Sequence, residues 1–182
     1  MLLKAPKGYD VRPTPDLVRQ AVFNSLGARV VRARVLDLFS GTGALGLECL
    51  SRGASEVLSV EKSSKHALFI RQNLQSTGLP AERTEIRVQD VFTAIGQLAA
   101  LKRQFDLILA DPPFGEKNVG RRSNSLSQQL LDNAQLPNLL ADGGLFVLGH
   151  TKRDTLTLVA PWQEVKQLKH GDSMMRFLQK AA

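Results

Sequence analysis

The chain has 182 residues, of which 43% are hydrophobic, and it carries a net charge of +7 at neutral pH. This length predicts one domain, residues 1–182, with a full hydrophobic core. No apolar run approaches the length of a membrane span and no signal peptide is visible, which predicts a cytoplasmic protein. The single cysteine excludes an internal disulfide. The three histidines lack metal-ligand spacing, so we expect no metal.

The first predicted element is a helix within a basic N-terminal segment, residues 1–34, and it packs on the domain. Thr14 can cap this helix, Pro15 suits its first position and Asp16 complements its dipole. Apolar residues then recur at helical spacing as far as Leu26.

A glycine-rich turn follows the first predicted strand, residues 35–39. Glycines 41, 43 and 46 satisfy G-x-G-x-x-G, which allows a sharp turn, close approach of a ligand and tight packing of the next helix on the strand. The second strand, 56–61, ends at Glu61, twenty residues after Gly41, where a ribose-binding carboxylate is expected. A helix N-terminal charge is the alternative role for Glu61.

Further acidic residues end the next two predicted strands. After Glu61, Ser63 or Ser64 caps a helix that runs to about residue 77 and ends at Gly78. The third strand, 84–89, ends at Asp90 before a helix over 91–102, and the fourth, 105–110, ends at Asp111. Because ligands bind outside the carboxyl ends of parallel strands, these acids and the glycine turn should converge on one crevice.

The fourth strand leads directly into Asp111-Pro112-Pro113-Phe114. Proline has a restricted φ and no N–H, and it pushes the preceding residue to an extended conformation, so the Pro112 carbonyl should be held beside the Asp111 carboxylate. A carboxylate, an immobilised carbonyl and an aromatic face can together hold a planar amine. The alternative is a Pro-Pro turn that closes the strand, with Phe114 filling the core.

The remaining elements predict an α/β fold with an antiparallel end. A helix over 126–140 stops near residues 142–144, before a buried strand over 145–149. Segments 162–169 and 173–179 flank a turn at 170–172 and form a hairpin, whose last strand lies antiparallel in an otherwise parallel sheet.

The positive charge is concentrated at the two ends of the chain. Residues 1–34 hold seven Lys or Arg against two acids, and residues 112–182 hold nine against six, whereas the middle is close to neutral. A positively charged surface around a crevice suits a polyanion such as nucleic acid, because Lys and Arg displace counterions from phosphates. A solvated basic surface is the alternative. The candidate residues for binding such a polyanion are Arg12, Arg19, Arg121 and Arg122.

Two sequence blocks carry a resemblance to a known family. The first is Arg12-Pro13-Thr14 with Asp16, and the second reads D-L-F-S-G-T-G-A-L-G-L-E from Asp37 to Glu48. With Glu61, Asp90 and the D-P-P-F motif in this order, the chain resembles class I S-adenosylmethionine-dependent methyltransferases, and more narrowly the RsmD-type family. Members of that family methylate the N2 amine of a guanine in bacterial small-subunit ribosomal RNA. The match extends from about residue 12 to residue 114.

The resemblance implies a fold, a cofactor and a partner. The fold is Rossmann-like, a mostly parallel seven-stranded sheet with helices on both faces. The cofactor is S-adenosyl-L-methionine, and the partner is ribosomal RNA or an assembling small subunit; the oligomeric state is not indicated. The catalytic residues are Asp111, Pro112, Pro113 and Phe114, and the cofactor-binding residues are Asp37, Phe39, Ser40, Gly41, Thr42, Gly43, Glu61 and Asp90. The alternative role for Asp37 is to order the glycine turn by accepting backbone N–H groups.

Three other functions stay open from the sequence. A nicotinamide-dependent oxidoreductase could use the glycine turn and Glu61, although the D-P-P-F motif would then have no role. A DNA or RNA adenine-N6 methyltransferase would share the D-P-P-F chemistry. A non-catalytic RNA-binding module for ribosome assembly could keep the fold without turnover.

Overall fold

The computed structural model describes residues 3–4, 15–113, 117–118 and 120–182. The strands are Arg34–Leu38 (β1), Glu56–Val60 (β2), Thr84–Arg87 (β3), Phe105–Ala110 (β4), Leu140–Thr151 (β5), Trp162–His170 (β6) and Ser173–Lys180 (β7). The helices are Asp16–Leu26 (α1), Ala44–Ser51 (α2), Ser64–Thr77 (α3), Val91–Ala100 (α4), Leu126–Asp132 (α5) and Leu136–Leu139 (α6).

The seven strands form one sheet in the order β3-β2-β1-β4-β5-β7-β6. The pairs from β3 to β5 are parallel, and β7 lies between β5 and β6 and is antiparallel to both. This order confirms the predicted α/β fold with an antiparallel strand from the C-terminal hairpin. It also brings the carboxyl ends of β1, β2, β4 and β5 to one edge of the sheet.

Alternating strand residues build a core on each face of the sheet. Val35 of β1 packs with α1 and α2, and its neighbour Leu36 packs with α4, α5 and α6 on the other face. Asp37 interrupts this apolar pattern, because it is 1% exposed and occupies the α2 side of β1. A buried carboxyl group on a central strand requires hydrogen-bond partners, and these are described with the site.

The predicted α3 boundaries and the predicted end of α1 at Leu26 are confirmed, but the predicted start of α1 is wrong by one residue. Ser63 Oγ accepts the His66 N–H at 3.2 Å, and Gly78 ends α3 with a φ of 67°. α1 begins at Asp16, so Pro15 occupies the N-cap position rather than the first helical position and makes no side-chain cap. Thr14 lies outside the described residues.

The single helix predicted over 126–140 is also wrong, because the structure divides it into α5 and α6. Asn133 Oδ1 accepts the N–H groups of Gln135 and Leu136, each at 3.0 Å, and this side-chain turn competes with helical hydrogen bonding. β5 then starts at Leu140, five residues before the predicted start, with an irregular register against β4. Across the described ranges, no helix is both long and apolar enough to cross a membrane.

Candidate active site

The candidate site lies at the carboxyl edge of the sheet, where the glycine turn joins β1 to α2. Gly41 and Gly43 have φ values of 57° and 86°, a region that side chains with a Cβ rarely adopt. The Gly43 N–H donates to the Ser40 carbonyl at 2.8 Å, which closes the turn. A Cβ added to Gly46 would lie 2.9 Å from Val57 Cγ1, so this glycine lets α2 pack against β2 as its position in the motif predicts.

The buried Asp37 side chain supports this turn from below. Its Oδ2 atom accepts the Gly46 N–H at 3.1 Å, within the first turn of α2. Burial raises the pKa of Asp37 to about 7, although the Gly46 N–H and the Ser40 side chain oppose the rise, and the nearby carboxylates of Glu61 and Asp111 add to it. Asp37 therefore orders the glycine turn, which is the alternative to a direct role in cofactor binding.

Glu61 follows β2 and connects the glycine turn to α3. Its carboxylate accepts the Gly41 N–H at 2.9 Å and the Ser63 N–H at 2.8 Å. His66 Nδ1 lies 3.8 Å from the same carboxylate. Because each carboxylate oxygen has two lone pairs, Glu61 keeps acceptor capacity for the hydroxyl groups of a ribose.

Asp90 and two aromatic residues lie on the β3 side of the site. Asp90 Oδ2 caps α4 by accepting the Thr93 N–H at 3.0 Å. The Phe39 ring packs edge-on against Phe92, with 6.4 Å between ring centroids. Phe39 has a φ of 56°, unusual for a side chain of this size. The sequence did not single out Phe92, although its position two residues after Asp90 brings it into the first turn of α4.

Asp111 and Pro112 come directly after β4, between the glycine turn on β1 and the end of β5. The opposing residue on β5 is Gly149, and a Cβ added there would overlap Asp111 Oδ1 and lie 3.0 Å from Met175 Sδ. Because Gly149 has no Cβ, the Asp111 carboxylate can lie directly against β5. Pro112 is buried and Pro113 is exposed, whereas Phe114 lies outside the described residues.

Asn73 of α3 is a second residue that the sequence did not single out. Its side chain, which is 0% exposed, donates to the Thr42 carbonyl at 3.1 Å and to the Lys4 carbonyl at 2.9 Å, and it accepts the Lys4 N–H. It links the start of the described chain to the glycine turn. Its partners lie 31 and 69 residues away in sequence, so no local pattern could have found it.

The four predicted RNA-binding arginines have different environments. Arg19 forms an ion pair with Asp16 at 2.9 Å, and Arg122 makes two hydrogen bonds to Asp132 at 2.7 and 2.6 Å. Arg121 is exposed, and Arg12 lies outside the described residues. In the ranges that the structure describes, no group of three His, Cys, Asp or Glu residues could hold a metal ion.

Comparison with known proteins identifies the family. A family model described as "Conserved hypothetical protein 95" matches residues 1–179. Ribosomal RNA small subunit methyltransferase D of Escherichia coli K12 is 29% identical over 180 residues, covering 99% of this chain and 85% of that protein. The chain belongs to the RsmD-type family of class I methyltransferases.

Solved structures agree with membership of the RsmD-type family. The putative methyltransferase yhhF from Escherichia coli matches with a TM-score of 0.76 and 29% identity, over 99% of this chain and 92% of that chain. A T. thermophilus 16S rRNA N2 G1207 methyltransferase (RsmC), solved with AdoMet and guanosine, matches with a TM-score of 0.68 and 26% identity, over 96% of this chain and 44% of that one. RsmD-type membership confirms S-adenosyl-L-methionine as the predicted cofactor and contradicts the oxidoreductase alternative.

The acidic groups of this RsmD-type chain fit that cofactor. S-adenosylmethionine carries a positive sulfonium and a positive ammonium group. The charges of Glu61 and Asp111 raise the pKa of Asp37, so negative charge lies close to the glycine turn. The site of this RsmD-type chain therefore combines a turn suited to close approach with charge of the opposite sign.

Proposed function

We propose that this chain transfers a methyl group from S-adenosylmethionine to the exocyclic N2 amine of a guanine in small-subunit ribosomal RNA. The observation that carries the proposal is the position of Asp111 and Pro112 at the carboxyl end of β4, beside the glycine turn and opposite Gly149. The name of the E. coli relative supports small-subunit ribosomal RNA as the substrate, and the guanine-N2 activity named for the T. thermophilus enzyme supports the acceptor atom.

The chemistry of the acceptor explains why an acid and a rigid carbonyl are needed. The N2 amine is planar and its lone pair is delocalised into the ring, so it is a poor nucleophile. In our proposal the Asp111 carboxylate and the Pro112 carbonyl accept its two N–H groups and orient the nitrogen toward the methyl group. Asp111 then stabilises the positive charge that develops on the nitrogen, and it accepts the proton or passes it to water.

Other residues of the chain would hold the cofactor, which supplies an electrophilic methyl group on a sulfonium. Gly41, Thr42 and Gly43 would line its methionine end, with Phe39 and Ser40 contributing to that wall. Glu61 would bind the ribose hydroxyls, and Asp90 would accept from the adenine amine with the lone pairs that its helix cap leaves available. The Gly41 N–H and the Ser63 N–H keep the Glu61 carboxylate oriented before the cofactor arrives.

Pro113 and Phe114 complete the proposed acceptor site. Pro113 restricts the turn after Pro112, and Phe114 would stack on the extruded base, an interaction worth about 1–3 kcal/mol for aromatic residues that stack on bases. The alternative acceptor is an adenine N6 amine, which is planar in the same way and would use the same groups. A non-catalytic module for ribosome assembly is the alternative without turnover.

Transfer of a labelled methyl group to small-subunit ribosomal RNA tests the proposal. The product nucleosides are separated and identified by mass spectrometry after complete digestion. We expect N2-methylguanosine, whereas N6-methyladenosine would favour the adenine alternative. Binding of S-adenosylhomocysteine without transfer to naked RNA or to small-subunit particles would favour the non-catalytic module.

The role of Asp111 is tested with Asp111→Asn, just after β4, and a matched control at the opposite end of that strand, Asp106→Asn. Asp106 lies at the amino end of β4, where it pairs with Arg34 at 2.9 Å, far from the crevice. We expect Asp111→Asn to lower kcat about a thousandfold, since it removes both the negative charge and one acceptor. S-adenosylhomocysteine affinity should change little in either variant, and full turnover by Asp111→Asn would refute the assigned role.

A further inference from the structure

Two loops beyond β5 lie at the same edge of the sheet as Asp111. Thr151 at the end of β5 pairs with Ser173 of β7, and Ser173 pairs in turn with His170 of β6. The loop after β5 and the β6–β7 turn therefore project from this edge. Adjacent strands are about 4.8 Å apart, so the loop after β5 starts one strand away from Asp111.

These loops and the segment after the D-P-P-F motif present exposed cations. Within the described residues, none of these cations forms a salt bridge, unlike Arg122, which pairs with Asp132. Two acids belong to the same loops: Asp154, after β5, is 2% exposed and bonded to Ser123, whereas Asp172, in the β6–β7 turn, is exposed and offsets one of the positive charges. We name this set the basic rim: Lys117, Arg121, Lys152, Arg153 and Lys169.

Buried hydrogen bonds hold the loops of the basic rim together. Asn118, 7% exposed, donates to the Arg121 and Thr155 carbonyls at 3.1 and 3.0 Å and accepts the Thr155 N–H at 2.9 Å. The Lys152 N–H donates to the Asp172 carbonyl at 2.9 Å, which joins the loop after β5 to the β6–β7 turn. The cations are thus presented from a connected base rather than from independent loops, and less conformational freedom is lost when they bind.

We propose that the basic rim binds the phosphate backbone of the RNA strand that flanks the target base. This inference rests on the proposed function, and it adds the side of the crevice from which the RNA approaches. The five cations complement a polyanion, and they lie next to Asp111 on the side away from Asp37 and Glu61. Phosphate groups on the β1–β2 side would instead approach the carboxylates that suit the cofactor.

The test compares three double variants with the same change in charge. Lys152→Ala/Arg153→Ala removes the centre of the basic rim. Lys62→Ala/Lys65→Ala removes two exposed cations that follow β2 on the other side of Asp111. Arg71→Ala/Arg83→Ala removes two exposed arginines, on the surface of α3 and just before β3, away from the carboxyl edge.

Affinity for unmethylated small-subunit ribosomal RNA is measured for each variant between 0.1 and 1 M salt. Each lost contact with a single-stranded phosphate lowers the slope of log K against log salt by about 0.7, so two contacts predict about a 25-fold loss at 0.1 M that vanishes near 1 M. We expect this loss for Lys152→Ala/Arg153→Ala only. An equal or larger loss of RNA affinity in either of the other variants, or no loss in Lys152→Ala/Arg153→Ala, overturns the proposal that the basic rim binds RNA.

Two readouts separate failure of this inference from failure of the proposed function. If the wild-type protein forms N2-methylguanosine and Lys152→Ala/Arg153→Ala retains full RNA affinity, the basic rim is wrong and the function stands. If the wild-type protein transfers no methyl group to ribosomal RNA, the proposed function is wrong, whatever the RNA affinity of the variants. S-adenosylhomocysteine affinity should be the same in the wild type and in Lys152→Ala/Arg153→Ala, and a large loss in the variant would mean that it damages the fold.

Discussion

Replacing Asp37 with asparagine should change how the stability of the cofactor-free protein depends on pH. The side chain is 1% exposed, and burial raises its pKa from 3.8 to about 7. Because the folded-state pKa exceeds the unfolded one, the folded protein binds more protons in this interval, and the wild-type stability falls as pH rises from about 4 to about 7. A shift of about 3 pKa units corresponds to about 4 kcal/mol in total.

The measurable part of this effect lies between pH 5 and pH 8. Across that window the Asp37 contribution should lower wild-type stability by about 2 to 3 kcal/mol, with the rest of the loss below pH 5. Asp37→Asn keeps a side-chain oxygen for the Gly46 N–H but has no charge to bury, so it should lack this slope. The free energy of unfolding is measured by urea denaturation, followed by circular dichroism, in steps of half a pH unit.

Asp106→Asn serves as the control for the amide substitution. Arg34 lowers the pKa of Asp106, so this group titrates below the measured window and its replacement should shift the stability curve without changing its slope. The difference in unfolding free energy between Asp37→Asn and the wild type should therefore grow with pH. The corresponding difference between Asp106→Asn and the wild type should stay constant. If the Asp37→Asn and wild-type curves run parallel from pH 5 to pH 8, the argument from burial is refuted.

Three other substitutions test contacts of the site. Gly149→Ala places a Cβ against the Asp111 carboxylate, and a displacement of about 1 Å should lower kcat about 100-fold while calorimetry finds S-adenosylhomocysteine affinity unchanged; unchanged kcat would contradict the close contact. Glu61→Gln replaces one carboxylate oxygen with an NH2 group that cannot accept from a ribose hydroxyl, at a cost of about 1–3 kcal/mol, so the same titration should show an affinity about 5- to 150-fold weaker, and a wild-type value would argue against the assigned role. Asn118→Ala removes the two hydrogen bonds to Thr155 that join the segment after the D-P-P-F motif to the loop after β5, together with one to Arg121 within its own segment. It should raise KM for RNA more than it changes kcat, with faster amide exchange at Thr155 as the independent readout.

Local chemistry made much of the fold predictable. The cap at Ser63 and the glycine at position 78 define α3 through contacts within a few residues, and the three glycines of the turn have the conformations and close packing that their spacing implies. The antiparallel β7 follows from the turn at residues 170–172, since a tight turn can only join antiparallel strands.

Features that depend on residues far apart in the sequence could not be predicted from local sequence patterns. The pattern over 126–140 reads as one helix because the apolar spacing continues, but the Asn133 side chain ends α5, and β4 recruits Leu140 into the sheet. In the site, the pairing of Asp111 with Gly149 and of Asn118 with Thr155 joins residues 38 and 37 positions apart. Such pairs carry no periodicity, so only the folded arrangement reveals them.

The insertion of β7 between β5 and β6 has a consequence for how the chain is made. During synthesis β5 emerges well before β7, and β6 cannot take its final place because its neighbour in the sheet does not yet exist. The long apolar edge of β5 stays unpaired in that interval, and an open edge of this kind recruits strands from other molecules. A nascent chain halted after β6 should therefore depend on chaperones more than one halted after β7.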